Sequence, residues 1–389
     1  MSTMYQQMDL DQNPIVALRG LRKHASGELQ DYFDTFEDLY ERKLWHQLTL
    51  KIEEFFSLPS SGQFQIPLFQ NFISDWENKM NKLKLVTLGL TASKQFNDNN
   101  EALAFLTSLV ERVSKPETQD VYVLAVMETA FKKLLLGDLE GTKKAIDESQ
   151  KILDTFDSVE TVIYASFYRV SADFHKAKGE YAGYYKNALL YLACIQLEDV
   201  PIKERIDRAY DLALCALLGD TIYNFGELLM HPILDSLSGT EHEWLRALLL
   251  AFNAGDYGRF ESLQPYFAKQ SLFTENFGHL LEKIRLMSLI EAVFRRSADN
   301  RTIPFTSIAA ETRMRIDEVE VLIMKALCLK LIRGTIDQVD ELVVVTWVQP
   351  RVLDTNQIDG MRRRLEDWDE NVKRTARLVE NETPELFVQ

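Results

Sequence analysis

The chain has few of the residues from which reactive sites are made. Its three cysteines, Cys194, Cys215 and Cys328, are far apart and odd in number. Without zinc-site spacing they read as reduced, mostly buried thiols of a cytosolic or nuclear protein. Six histidines, His24, His46, His175, His231, His242 and His279, form neither His-x-His nor His-Glu-x-x-His, so each reads as an ordinary core or surface histidine rather than a metal ligand. No Gly-x-Ser-x-Gly elbow occurs, and no serine or cysteine stands in a nucleophile motif. Gly137 with Gly141-Thr142-Lys143 is one residue short of a phosphate loop and follows no strand, so it reads as a helix start. These absences argue against catalysis and against a bound metal or cofactor. No apolar run approaches the roughly 18 residues of a membrane span, and residues 1–14 lack the basic start and apolar core of a secretion signal. The expected setting is soluble, in cytoplasm and nucleus.

What is present is apolar surface and negative charge. At 389 residues and 46% hydrophobic the chain can bury a large core, enough for one extended or two ordinary domains. The formal charge of −15 argues against nucleic acid or an anionic membrane as a main partner. The carboxylates read as solvated helix faces.

A helical repeat lies in the middle. Gly followed by Asp or Glu recurs at Gly137-Asp138, Gly179-Glu180, Gly219-Asp220 and Gly255-Asp256, with steps of 42, 40 and 36 residues. Each pair stands between helix-period stripes, such as Leu124, Met127, Phe131 and Leu134 before the first and Ile146, Ser149, Leu153 and Phe156 after it. The glycine can take the left-handed turn that ends one helix, and the acid can cap the next. A period near 40 built this way predicts a helical-hairpin solenoid. Further upstream, Phe36, Tyr40, Leu44, Leu48, Ile52 and Phe55 form one stripe that stops before Pro59.

Near the C-terminus the pattern changes. A leading helix with Leu286, Ile290, Val293 and Phe294 is followed by a short strand at residues 303–305. A short helix then runs to about Glu311 with Thr306 as N-cap, and a second helix carries Ile316, Val319, Leu322, Ile323, Ala326 and Leu327. Next come a strand with Gly334 at a bulge or close approach, an acidic turn at residues 338–341, and the β-branched run 342–348 closed by Pro350. This is the order of a winged helix. Asp317, Glu318 and Glu320 on its second helix and Asp337, Asp340 and Glu341 in the wing would repel phosphates. Arg313, Arg315 and Arg333 are too few to reverse that, so the module is expected to meet protein, through the sheet edge of its hairpin. From Thr355 to Glu380 a further helix sets Ile358, Met361, Leu365, Trp368, Val372, Thr375 and Val379 in a heptad seam flanked by Arg362, Arg363, Arg364, Glu366 and Asp367. Such a seam asks for partner helices, or else folds back on its own winged helix.

Residues 334–354, GTIDQVDELVVVTWVQPRVLD, resemble the end of a PCI domain. That helical-repeat-plus-winged-helix module is found in subunits of the proteasome lid, the COP9 signalosome and a translation initiation complex. The strings LYERKLWHQLTL (39–50), FQNFISDWENKMNKL (69–83) and YNFGELLMHPIL (223–234) are similar to a proteasome lid subunit in particular, so the resemblance spans most of the chain. It implies an all-α, TPR-like helical-hairpin solenoid followed by a winged helix with a small β-hairpin and a long C-terminal helix. The expected divisions are a polar, partly mobile start (1–28), the solenoid (29–282), the winged helix (283–350), and the bundle helix with its tail (351–389). The implied role is a non-catalytic scaffold of a hetero-oligomer. Its implied partners are neighbouring PCI subunits, the MPN-domain deubiquitinase pair and the ubiquitin receptor subunit of the lid. Val343, Val345 and Trp347 on the wing, and Ile358, Met361, Leu365, Trp368, Val372 and Val379 on the seam, are the expected contact residues. The alternatives are a PCI subunit of the signalosome or initiation complex, or a nucleic-acid-binding PCI protein of the mRNA-export type.

Overall fold

The computed structural model describes residues 14–25, 27–296, 301–352 and 355–382. It divides into two compact units, Met1–Asp199 and Val200–Gln389. The fold is all-α apart from one three-stranded sheet.

In the first unit, helical hairpins cover one another's apolar stripes. The opening helices Pro14–His24, Gly27–Glu41 and Trp45–Ser57 enclose an aromatic cluster. In it Phe33 meets Phe55 edge-on at 5.5 Å and Phe64 at 5.8 Å, a geometry favoured by the ring quadrupoles. The expected single stripe from Phe36 to Phe55 is broken. Lys43 takes φ 58°, so the chain turns between two helices and Leu44 is left exposed at the corner. Pro67 lies inside the helix Gly62–Leu68 and is followed by a π-helical turn, Phe69–Ile73, as expected where a missing N–H loosens the bonding frame.

The helices Gln119–Leu135, Leu139–Leu153, Thr161–Lys178 and Tyr181–Cys194 are the first two repeats. The turns use the expected glycine conformation at three of four places and the expected acid cap at two. Gly137, Gly179 and Gly255 have φ of 89°, 74° and 63°, conformations in which a Cβ would be strained. Asp138 accepts the Gly141 N–H at 2.8 Å and Asp256 the Arg259 N–H at 3.0 Å, so the lookalike phosphate loop is a capped helix start. Glu180 makes no cap; it binds His175 at 2.7 Å and Lys178 at 2.6 Å instead. Glu128 ties the two hairpins together, accepting from Ser166 at 2.7 Å and from Arg169.

Gly219 departs from the pattern. It is extended, with φ −70° and ψ 126°, because the end of the helix Ile202–Leu218 is closed in another way. The Lys283 ammonium, 1% exposed, donates to the carbonyls of Ala216 at 2.8 Å, Leu217 at 3.0 Å and Gly219 at 2.7 Å. It also lies 5.4 Å from the ring centres of Tyr223 and Phe225. A cation at a helix C-terminus satisfies orphan carbonyls and opposes the helix dipole. Burial draws this ammonium down to about 7, and Asp220 acts in the opposite sense. The string 223–234 follows as a short helix, Gly226–Met230, and a 3₁₀ run, Pro232–Leu237, whose first turn is capped by His231 Nδ1 accepting from Ile233 at 3.2 Å.

The second unit closes with the winged helix. The leading helix Phe277–Phe294 is followed by β1 (Thr302–Pro304), the helices Phe305–Thr312 and Ile316–Cys328, β2 (Ile332–Asp337) and β3 (Leu342–Val348). The sheet order is β1-β3-β2, antiparallel throughout. The short helix starts one residue before Thr306, which makes no cap. The Phe305 N–H, one of the free donors of that first turn, is taken by the Glu341 carbonyl of the wing at 2.9 Å. Gly334 stands beside a register shift, where an added Cβ would come within 2.1 Å of the Val344 carbonyl oxygen. Of the cysteines, Cys215 is buried, Cys194 half-buried and Cys328 exposed.

Three substitutions test these assignments by urea denaturation. Gly137→Ala meets open space and only the left-handed φ, so it should cost about 1–2 kcal/mol. Gly255→Ala also brings a Cβ within 2.7 Å of the Ser288 Cα, and its loss should exceed that of Gly137→Ala by roughly 1–3 kcal/mol. Lys283→Met strands three carbonyls and should cost about 2–4 kcal/mol; an unchanged midpoint would show that the ammonium is not holding the turn.

Candidate protein-interaction surfaces

The wing and the second helix of the winged helix are poorly suited to a phosphate backbone. Asp317 and Glu318 are exposed on the helix that would face a groove. The three arginines nearby are occupied. Arg315 pairs with Asp317 at 2.8 Å and Arg313 with Glu261 at 2.9 Å, and Arg333 lies 4.7 Å over the Trp347 ring. Asp337 closes the wing turn by accepting the N–H groups of Val339 and Asp340 at 3.1 and 3.2 Å.

The sheet alters where wing contacts can occur. β3 is its central strand, paired with β1 along one side and β2 along the other. Val343 is 0% and Val345 3% exposed, so both side chains cover the domain core and are closed to a partner. Side chains alternate along a strand, and Val344 between them is 40% exposed. Trp347 is half-buried under Arg333. Of the two hairpin strands β2 is the one with an outer edge, the other edge of the sheet being the three-residue β1. The period-2 pattern of Val343 to Val345 was legible, and so was the short strand β1, but which face points inward depends on the helices packed against the sheet, the leading helix Phe277–Phe294 among them.

The C-terminal helix spans Thr355–Glu382, roughly 42 Å at the α-helical rise. It does not fold back. Every side chain from Met361 to Glu382 is exposed, with Leu365 at 63% and Trp368 at 66%. Ile358, Met361, Val372 and Val379 continue the stripe and are exposed as well. The flanks are braced by i,i+3 and i,i+4 pairs, Arg362 with Asp359 at 2.8 Å and with Glu366 at 2.5 Å, and Lys373 with Asp369 at 2.6 Å. Pairs so fully exposed add little to the helix, because water screens them. A 28-residue helix with an apolar stripe open to water is a surface made to be covered.

Comparison with known proteins decides what kind of subunit this is. The chain is 43% identical over 364 residues to the probable 26S proteasome regulatory subunit rpn9 of Schizosaccharomyces pombe, covering 94% of this chain and 95% of that one. It is 42% identical over 373 residues to the 26S proteasome non-ATPase regulatory subunit 13 homolog A of Arabidopsis thaliana, at 94% and 97% coverage. With the 26S proteasome regulatory subunit RPN9 of Saccharomyces cerevisiae it shares 35% identity over 385 residues, at 95% and 98% coverage. This chain belongs to the family of 26S proteasome non-ATPase regulatory subunit 13.

Three family profiles match successive parts of this chain. The profile of PSD13 N-terminal repeats matches residues 32–249, that of the PCI domain residues 261–347, and that of the Rpn9 C-terminal helix residues 351–383. The last is the exposed seam helix. Among the described residues no group of three or more His, Cys, Asp or Glu side chains could hold a metal ion, and no helix is long and apolar enough to cross a membrane.

Sequence reading missed two features of this family member. Lys283 lies within the apolar period of its helix, beside Ile284 and between Leu280 and Met287, and a lysine at core spacing was the available signal. The contacts of Arg351 and Val352, described below, have no such signal, because their partners are distant in the chain. Substitution separates the two faces of β3. Val343→Asp should destabilise the protein by about 3 kcal/mol or more through a buried charge, whereas Val344→Asp should stay within about 0.5 kcal/mol, both read from thermal or urea midpoints.

Proposed function

We propose that the chain is a non-catalytic structural subunit of the proteasome regulatory particle lid, and that it joins the lid by burying its C-terminal seam in a bundle with helices of other subunits. The observation that carries this reading is the heptad stripe, exposed from Ile358 to Val379 on a long helix in a chain whose relatives are named as proteasome regulatory subunits. Burying a large apolar side chain contributes about 1.5–3 kcal/mol, so a stripe of this length supplies enough to hold a bundle after the entropy of association. The acidic groove helix and the occupied arginines favour protein over nucleic acid as partner.

In this role the subunit works by position. The β2 edge and the outward side chains of the winged helix meet a neighbouring PCI subunit, and the seam meets the shared bundle. Together they hold the deubiquitinase pair and the ubiquitin receptor at high effective concentration near substrate. Its place of work is that of the particle, cytoplasm and nucleus.

Leu365→Asp with Trp368→Asp tests the reading. Both side chains are exposed in the free chain, so its circular dichroism and melting midpoint should match wild type, while co-purification with proteasome regulatory subunits should fall at least tenfold, about 1.4 kcal/mol. Undiminished co-purification would refute the bundle.

A further inference from the structure

The seam helix springs from a short segment that is locked onto the second unit by five separate contacts. The Gln349 N–H donates to the Leu331 carbonyl at 2.8 Å. Arg351, whose side chain is 7% exposed, donates to the Asn253 carbonyl at 3.2 Å, pairs with the equally secluded Glu291, and lies 5.3 Å over the Phe294 ring. Val352 stands on Gly226. A Cβ at Gly226 would come within 2.4 Å of the Val352 Cβ, an atom next to the backbone that no rotamer change can move away. Gly226 is in turn fixed, because its N–H is bound by Asn224 Oδ1 at 3.2 Å and the preceding loop is gripped at Tyr223 and Phe225 by Lys283.

We infer that Gly226 and the Arg351-Val352 pair form a socket and strap that fix the root of the seam helix on the winged-helix unit, so that the seam is presented to its partner helices from a set point. The inference rests on the bundle reading above. Arg351, bonded by carboxylate, carbonyl and ring, stands only four residues before the helix begins at Thr355. From Val352 the start of the helix can lie at most roughly 11 Å away, three extended residues. Without the strap the last fixed residue would be Gln349, bonded to the Leu331 carbonyl, and the reach becomes six residues, roughly 21 Å. The volume open to the root then grows severalfold, and the effective concentration of seam at its partner falls by the same factor. This also assigns a purpose to the glycine of the YNFGELL string, which no helix-ending turn requires.

The test uses the full-length chain, epitope-tagged and expressed in competition with wild type, with the tagged fraction in assembled proteasome read on native gels. Inserting twenty Gly-Ser residues after Val352 leaves strap, socket and seam intact and lengthens the tether to roughly 26 Å; incorporation should fall about tenfold. Gly226→Ala should lower incorporation, and adding Val352→Gly, which vacates the space the new methyl needs, should restore it. Arg351→Gln, checked by circular dichroism for an intact fold, should also lower it. If the insertion chain incorporates as wild type while Leu365→Asp/Trp368→Asp does not, the strap is overturned and the bundle stands. If Leu365→Asp/Trp368→Asp incorporates as wild type, the bundle fails and the strap loses its purpose. If Val352→Gly does not rescue Gly226→Ala, Gly226 is not the socket.

Discussion

An amphipathic helix must have its apolar face covered, and this chain meets that demand internally almost everywhere except in its last helix. Through the hairpins of both units, Leu, Phe and Ile stripes are closed by the neighbouring helix, and fully buried aromatic residues such as Phe36, Phe72, Phe225 and Phe252 stand at the contacts. From Ile358 onward the same kind of stripe is open to water. The cost of that exposure is tolerable for a 28-residue helix braced by Arg362, Asp359 and Glu366, and it disappears when partner helices supply the missing face. Under the bundle role proposed above, the exposed seam is the part that acts, and the hairpins and winged helix are what hold it.

The joint between holder and seam concentrates the polar chemistry of the second unit. Lys283 takes the place that a left-handed glycine fills at the other repeats, closing the helix Ile202–Leu218 with an ammonium bonded to three carbonyls. That allows Gly219 to stay extended and the chain to run on into Tyr223, Phe225 and Gly226. Arg351 and Glu291 add a secluded ion pair to the same unit. Buried ions are costly unless fully bonded, and here carbonyls, carboxylate and ring faces meet that requirement. Their value lies in fixing one arrangement of loop, strap and wing.

Much of the site was legible in sequence because it rests on period and local turn chemistry. The heptad spacing from Ile358 to Val379 appears as a helix in the structure with those residues outside. Gly137, Gly179 and Gly255 take the left-handed conformation expected of them, and Gly334 lies at the close approach its position in a strand suggested. The wing was read only in part. Alternation showed that Val343 and Val345 share a face, but burial depends on what packs against that face, and the leading helix Phe277–Phe294, some 50 residues upstream, helps turn them into core. Lys43 breaks a stripe whose spacing alone would run on through the corner.

The amino-acid order determined the helical period, the Gly-acid turns, the strand-turn-strand wing, the shortage of reactive groups and the apolar seam, since each follows from neighbours within a few turns of chain. Only the tertiary structure decided which face of β3 is core, that Lys283 caps a helix some 65 residues away, and that Val352 sits on Gly226. Those contacts join residues whose separation along the chain leaves no local periodicity to mark them, and they exist only once burial has brought the elements together.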